Sequence, residues 1–269
     1  MRGMLACFAL LLVVLPAYAE TAQLAGLTVH VWRPPGAGAH PLVVFSHGYR
    51  GSGSQSRFLT QALADAGYLV VAPDHQDSRR ERHAEHEPNL RQAASWTDAA
   101  FRERGDDVRR LLDAMRADPA WSRGVDWSRV ALAGHSLGGY TVLGLAGAWP
   151  SWKLKGIKAV LALSPYVISF VSQRTLHLVD VPVMYQTGTR DLGIFPSVKR
   201  PGGAYDQTAA PCFLVTLQGV GHFGFSDLVA GGHETIVACA LAFLDRYVKG
   251  DATADPAARR PGVTELRAK

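Results

Sequence analysis

"RVALAGHSLGGYTVLGLAGAW", residues 129–149, sets a short apolar run against a serine bracketed by glycines and then continues as an almost wholly apolar segment. The first part has the pattern of a strand buried on both faces of a parallel sheet. The second is long enough for a helix and too apolar for an exposed one. Ser136 therefore stands on the turn between a buried strand and a buried helix. Such a turn is sharp, so Gly134 and Gly138 are needed where the two backbones nearly touch, and Gly139 lets the helix pack closely. A serine held there is strained and presents its Oγ at a helix N-terminus, where N–H groups and the dipole favour negative charge. The bare Gly-x-Ser-x-Gly pattern arises by chance about once in seven chains of this length, so the surrounding sequence must supply a setting or refute one.

The strand signature recurs at 41–48 (PLVVFSHG), 68–74 (YLVVAPD), 159–165 (AVLALSP), 181–189 (VPVMYQTGT) and 212–222 (CFLVTLQGVGH). "LTVHVW" at 27–32 alternates instead, which suits an antiparallel edge strand. Helical segments fall between: 55–66 stopping at Gly67, 98–117 with Phe101, Val108, Leu111, Leu112 and Met115 facing inward, and 233–249 stopping at Gly250. This alternation predicts an α/β fold, a mostly parallel doubly wound sheet with helices on both faces, as one domain over 20–250. With 269 residues, 48% of them hydrophobic, the chain can fill one such core. The tail at 251–269 is polar and rich in Pro and Ala, and is expected to fray.

Residues 4–18 form an uncharged apolar stretch behind Arg2, followed by Ala17-Tyr18-Ala19. This reads as a secretory leader, 1–19, cut near Ala19, which would make the protein secreted or periplasmic. The stretch falls short of the roughly 20 residues that span a bilayer; a retained anchor is the alternative. Loss of Arg2 would leave 27 Lys+Arg against 23 Asp+Glu, a net charge of +4, and the cysteines 212 and 239. An oxidising compartment permits a disulfide between them, with two buried thiols as the equal alternative. No Cys-x-x-Cys occurs, which argues against redox catalysis and structural zinc. The basic clusters, 79–82 and 102–110, are interleaved with acids and read as solvated faces, not as a nucleic-acid surface. One long polar segment, 75–97, leaves a strand end; its His83 and His86 have metal-ligand spacing, but a solvated flap with chance histidines is the favoured reading. No metal and no cofactor are expected.

A serine hydroxyl needs a neighbouring base to become a useful nucleophile. His222, in "QGVGHFGFSD", directly follows the last core strand on a glycine-rich loop. His135 should point away from Ser136, His47 lies in a strand-end turn, His75 opens the long loop and His233 begins the final helix. Asp191, in "MYQTGTRDLG", follows the preceding core strand and can orient the base, whereas Asp180 precedes that strand and falls at the opposite edge. Asp206 and Asp227 lack a strand-end position. The glycine-rich turn "FSHGYRGSGS", 45–54, can aim the N–H of Tyr49, with that of Leu137, at a developing oxyanion. Four parts thus fall at four strand ends in the chain order Ser, Asp, His, and the expected chemistry is acyl transfer through Ser136.

With these motifs the chain resembles an α/β-hydrolase, and more narrowly the bacterial dienelactone-hydrolase-like esterases, akin to platelet-activating-factor acetylhydrolases and cutinase-type polyester hydrolases. The resemblance covers roughly residues 24–249 and is carried by "PLVVFSHGYRGS", "LADAGYLVVAPDH", "VALAGHSLGG", "TGTRD" and "GVGHFGFSD". It implies a serine esterase acting on a small-molecule or lipid-like ester, with Ser136, Asp191 and His222 as the triad and Tyr49 in the oxyanion hole. It also implies that Tyr166 stands beside the substrate, an ordinary core tyrosine being the alternative; Tyr49 and Phe223 are read as further substrate-pocket side chains. Dienelactone hydrolase proper has a cysteine nucleophile where this chain has Ser136, so lactone-ring opening is not implied. The same machinery would serve a thioesterase or a serine peptidase; a non-catalytic binding homologue is the remaining alternative.

Overall fold

Alternate side chains of a strand project to opposite faces, so an unbroken aliphatic run is stable only between two apolar layers. The computed structural model, which describes residues 20–78 and 89–269, builds both layers. The leader at 1–19 and the His83/His86 pair lie outside the described residues. In chain order the elements are β1 (Glu20–Leu24), β2 (Leu27–Trp32), β3 (His40–Ser46), α1 (Arg57–Asp65), β4 (Leu69–Pro73), α2 (Arg102–Ala117), α3 (Pro119–Ser122), β5 (Val125–His135), α4 (Leu137–Leu143), β6 (Ile157–Leu163), α5 (Ile168–Gln173), β7 (Val183–Gly188), α6 (Phe195–Lys199), α7 (Ala204–Gln207), β8 (Cys212–Leu217), α8 (His233–Leu244) and β9 (Val263–Ala268). They form one sheet in the order β1-β2-β4-β3-β5-β6-β7-β8-β9. The six strands from β4 to β8 in that order are mutually parallel. β2 runs antiparallel to both its neighbours, and β9 runs antiparallel to β8. This is the α/β class expected, with helices on both faces.

One core takes Leu42, Val44, Leu132, Val160 and Leu214 from the strands. Against it lie Val108, Leu111, Leu112 and Met115 of α2, at helical spacing, and Tyr140 and Leu143 of α4. The other core takes the alternate strand residues, Val43, Phe45, Ala133, Leu161 and Val215, and packs them on Leu59 and Leu63 of α1 and Ile236, Ala240 and Phe243 of α8. Cys212 belongs to the first core and Cys239 to the second, so the sheet separates them and both are free buried thiols. Burial pushes the Cys212 thiol up to about 12, against a partial offset from Lys269. Among the described residues no helix is long and apolar enough to cross a membrane.

Two expectations need correction at the sheet margins. Residues 27–32 are antiparallel as expected but are not the edge, because β1 lies outside them. The tail expected to fray instead closes the opposite margin as β9, with Val263 to Ala268 paired to Leu217 to Phe213 and the Lys269 N–H donating to Cys212 O at 3.1 Å. Both margins are strands of five or six residues, none of them fully buried, so neither carries the aliphatic run that marks the interior.

Candidate active site

β5 ends at His135 and α4 begins at Leu137, leaving Ser136 alone to reverse the chain at φ 56° and ψ −117°. That backbone is disfavoured for a non-glycine residue. It is held by the Ser136 N–H donating to Leu163 O at 3.0 Å and by Ser136 O accepting from Tyr166 N at 2.9 Å. A Cβ on Gly134 would overlap the Gly138 carbonyl, and one on Gly139 would overlap Pro165. The close approaches inferred from sequence are thus where the backbones meet.

The Ser136 Oγ lies 2.9 Å from His222 Nε2, and His222 Nδ1 lies 3.2 Å from Asp191 Oδ2. Asp191 follows β7 and is buried; His222 follows β8 in a short 3-10 turn, His222–Phe225. Their loops are joined by three hydrogen bonds, two of them backbone to backbone. Thr189 N donates to Leu217 O at 2.9 Å, Arg190 N to Val220 O at 2.9 Å, and Gly219 N to Thr189 Oγ1 at 2.9 Å. Ser164, at the end of β6 with φ 42°, adds a hydroxyl that donates to Asp191 Oδ2 and sits 2.8 Å from His222 Nδ1. Its part was not foreseen; the Ser-Pro pair closing a core strand was the available signal.

The competing residues are occupied elsewhere. Asp180 pairs with Lys153 at 2.6 Å, Asp206 accepts from Gly202 N at 2.8 Å, and Asp227 accepts from Arg57 N and Phe58 N at the start of α1. His233 opens α8 and stacks on Phe58, ring centroids 3.7 Å apart. His135 makes no bond to Ser136. Its Nε2–H donates to His222 O at 2.9 Å while its Nδ1 accepts from Gln55 Nε2 at 2.8 Å, and Gln55 Oε1 accepts from Gly48 N at 2.8 Å. Burial, with the neighbouring His222 second, drives His135 down to about 3, so this link between two loops is neutral.

A cleft of about 790 Å³ opens above Ser136. Tyr49, Leu90, Tyr166, Leu192, Ile194 and Phe223 supply apolar wall. Tyr166 donates its hydroxyl to Leu90 O and lays its ring against Trp96, centroids 5.4 Å apart, so it is both half-buried packing and cleft lining. Leu192, Leu228 and Phe223 stand 77%, 67% and 55% exposed at the mouth. Among the described residues no group of three or more His, Cys, Asp or Glu is placed to hold a metal.

The model of the chlorophyllase family matches residues 17–177, more than half of the chain. The chain belongs to the chlorophyllase family. This is an α/β-hydrolase-type esterase family, in agreement with the sheet described above. The chain is also similar to a Bacillus subtilis (strain 168) protein described as "Putative esterase YitV", 28% identical over 172 residues. That alignment covers 59% of this chain and 63% of the relative, so it spans less than two thirds of the relative's length. The segment matched to the chlorophyllase family carries Tyr49, Ser136, Leu137 and Tyr166, whereas Asp191 and His222 lie beyond it.

Within that segment the structure overturns one reading. The run 102–110, expected to be a solvated face, places Arg104 and Asp107 wholly inside the protein. Arg104 grips Asp77 through Nε and Nη2 at 2.8 and 3.0 Å, and Asp107 pairs with His75 Nδ1 at 3.0 Å. His75 Nε2 meets Ser46 Oγ at 2.9 Å, and the His75 N–H donates to His47 Nε2 at 3.0 Å. Burial works against the Asp77 carboxylate, but the charge and hydrogen bonds of Arg104 hold it well below the usual carboxylate range. Burial first, and the Arg104 charge second, push His47 and His75 below the ordinary histidine value.

These shifts fix a pH dependence. Burial makes His47, His75 and His135 harder to protonate in the folded state than in the unfolded chain, which takes up protons on them below about pH 6.5. The unfolded state therefore binds more protons as pH falls, and stability is lost in that direction. Each histidine costs up to about 1.4 kcal/mol per pH unit below 6.5 until its folded-state value is reached. Thermal melts should be level between about pH 7 and 8, below the range where unfolded-state thiols ionise, and fall by several degrees at pH 5.5; a midpoint unchanged at pH 5.5 would contradict the burial of these rings.

Proposed function

We propose that the protein is a serine hydrolase of carboxylic esters with an apolar acyl or alcohol part. The observation that carries this is the Ser136 Oγ to His222 Nε2 distance of 2.9 Å, with the far nitrogen of that ring on the Asp191 carboxylate. Ser136 Oγ attacks the ester carbonyl while His222 takes its proton and Asp191 steadies the resulting imidazolium. The N–H groups of Leu137, first in α4, and Tyr49 receive the negative oxygen of the tetrahedral intermediate. The bond to the leaving alcohol then breaks, His222 returns the proton to that alcohol, and an acyl-enzyme remains on Ser136. Water, deprotonated by His222, attacks the acyl carbon and releases the acid and the free serine. No step calls for a metal or a cofactor.

The cleft's apolar walls and exposed apolar rim support an uncharged, lipid-like substrate. So do the chlorophyllase family match and the "Putative esterase YitV" relative, to the extent of ester chemistry. The test is a series of p-nitrophenyl esters from two to sixteen carbons, beside thioester and peptide substrates and a fluorophosphonate probe. Each methylene buried in the cleft is worth about 0.8 kcal/mol, roughly fourfold, so kcat/KM should climb from the two-carbon ester over the next few lengths. The probe should label Ser136. No label and no ester turnover would overturn the proposal.

A further inference from the structure

We infer that Arg104, on α2 behind the cleft wall, is a positioning residue for the oxyanion hole, an inference that rests on the ester-hydrolase reading above. A trans peptide is planar, with its C=O and N–H pointing opposite ways, so fixing a carbonyl also fixes the direction of the N–H that shares its plane. Arg104 Nη1 donates to His47 O at 2.8 Å and Nη2 to Gly48 O at 3.2 Å. Gly48 O also accepts from Gly51 N at 3.0 Å and from His47 Nδ1 at 2.7 Å, His47 Nε2 being the acceptor for His75 N. The carbonyl of the 48–49 peptide is therefore drawn into the protein, and the Tyr49 N–H is turned the other way.

The flanking planes are held by the same cluster. Gly48 N is taken up by Gln55 Oε1 at 2.8 Å, and Arg50 N donates at 3.1 Å to Asp77 Oδ2, the oxygen that Arg104 Nη2 holds. Three successive peptides, 47–48, 48–49 and 49–50, are thus oriented by one guanidinium, its carboxylate and one glutamine. The turn lies against the serine: a Cβ built on Gly48 would be 3.4 Å from Ser136 Cβ. Arg104, Asp77 and His47 are fully or almost fully buried, so the clamp does not shift with solvent. Burying such a cluster is costly unless every partner is satisfied. Its donors converge on two carbonyls of the oxyanion turn, which is where a rigid hole has use for them.

Arg104→Lys keeps the charge but offers one point donor in place of a fork that spans a carboxylate and two carbonyls. For that variant, kcat per serine titrated with a fluorophosphonate should fall 10- to 100-fold, with KM changed less than threefold. Affinity for a trifluoromethyl ketone, which becomes a tetrahedral oxyanion on Ser136, should weaken by the same factor as kcat/KM. Where Arg104→Lys does not fold, Asp77→Asn, which keeps the arginine and one side-chain oxygen, should show the same pattern at three- to tenfold. A lower melting temperature or fewer titratable serines, with kcat per titrated serine unchanged, would show a merely structural arginine and overturn the inference. A wild-type protein that neither hydrolyses esters nor takes the probe would sink the ester-hydrolase reading itself, a distinct result.

Discussion

Ser136→Ala should lower kcat for ester hydrolysis by about four to six orders of magnitude, with the fold and the melting temperature preserved. The size follows from what one atom does in the proposed cycle. Without Oγ there is no acyl-enzyme, and only substrate binding and the oxyanion donors remain to act on an attacking water. Four orders of magnitude correspond to about 5.5 kcal/mol of transition-state stabilisation. The fold should survive because the elbow is held by the Ser136 backbone, through Leu163 O and Tyr166 N, and not by its side chain. Asp191→Asn should cost less, roughly two to three orders of magnitude. Ser164 Oγ stands 2.8 Å from His222 Nδ1 and can keep the ring oriented when the carboxylate charge is gone. Both values can be read from kcat/KM on a p-nitrophenyl ester, with circular dichroism to confirm folding. A Ser136→Ala protein retaining more than about one part in a hundred of the activity would end the nucleophile proposal.

What was legible in the sequence, and what was not, divides along a physical line. Interior parallel strands announce themselves because both faces must be apolar, so β3 to β8 could be read directly, with the helices α1, α2, α4 and α8; the short helices α3, α5, α6 and α7 are too brief to show a helical period. The elbow was equally plain, since backbones that nearly touch leave room only for glycine at 134 and 138. The margins β1 and β9 were missed because an edge strand needs only one apolar face, and "VTELRA" alternates too briefly to stand out from a polar tail. Arg104 was hidden for a different reason. In "RERGDDVRR" it has the composition of a solvated helix face, and only the fold reveals that Asp77, twenty-seven positions earlier, returns to meet it. Composition reports the usual environment of a residue type; a buried ion pair is an exception that partners make affordable, and those partners are distant in sequence. The same holds for the path from Gly48 through Gln55 and His135 to the His222 carbonyl, three contacts that no local pattern encodes.

Gly138→Ala should be among the most destabilising single-methyl additions in the chain. Helix propensity alone would favour the alanine by about 1 kcal/mol, and the backbone at this position is not in the left-handed region, so neither argument predicts harm. The cost comes from contact. The added Cβ would fall on the Ser46 carbonyl, with His47 O also inside normal contact, and both are backbone atoms that cannot swing away. Relief requires α4 to lift from the end of β3, opening a gap in a tightly packed core. It would also move the 47–49 turn away from Ser136, although Arg104 holds the carbonyls of that turn from the other side. A loss of about 4 kcal/mol is expected, near the upper end for a single substitution. At the usual 2–4 °C per kcal/mol for a domain of this size, the melting temperature should drop by about 10 °C. Gly193→Ala is the control, because it lines the same cleft, has an ordinary φ, and a Cβ there meets nothing within 4 Å. Its melting temperature should stay within about 2 °C of the parent, consistent with a surface change of less than 0.5 kcal/mol. Should Gly138→Ala melt as the parent does, with its activity intact, α4 does not meet the end of β3 as closely as the geometry requires. Ser136, at the head of α4, would then lack the close support that its proposed role as nucleophile calls for.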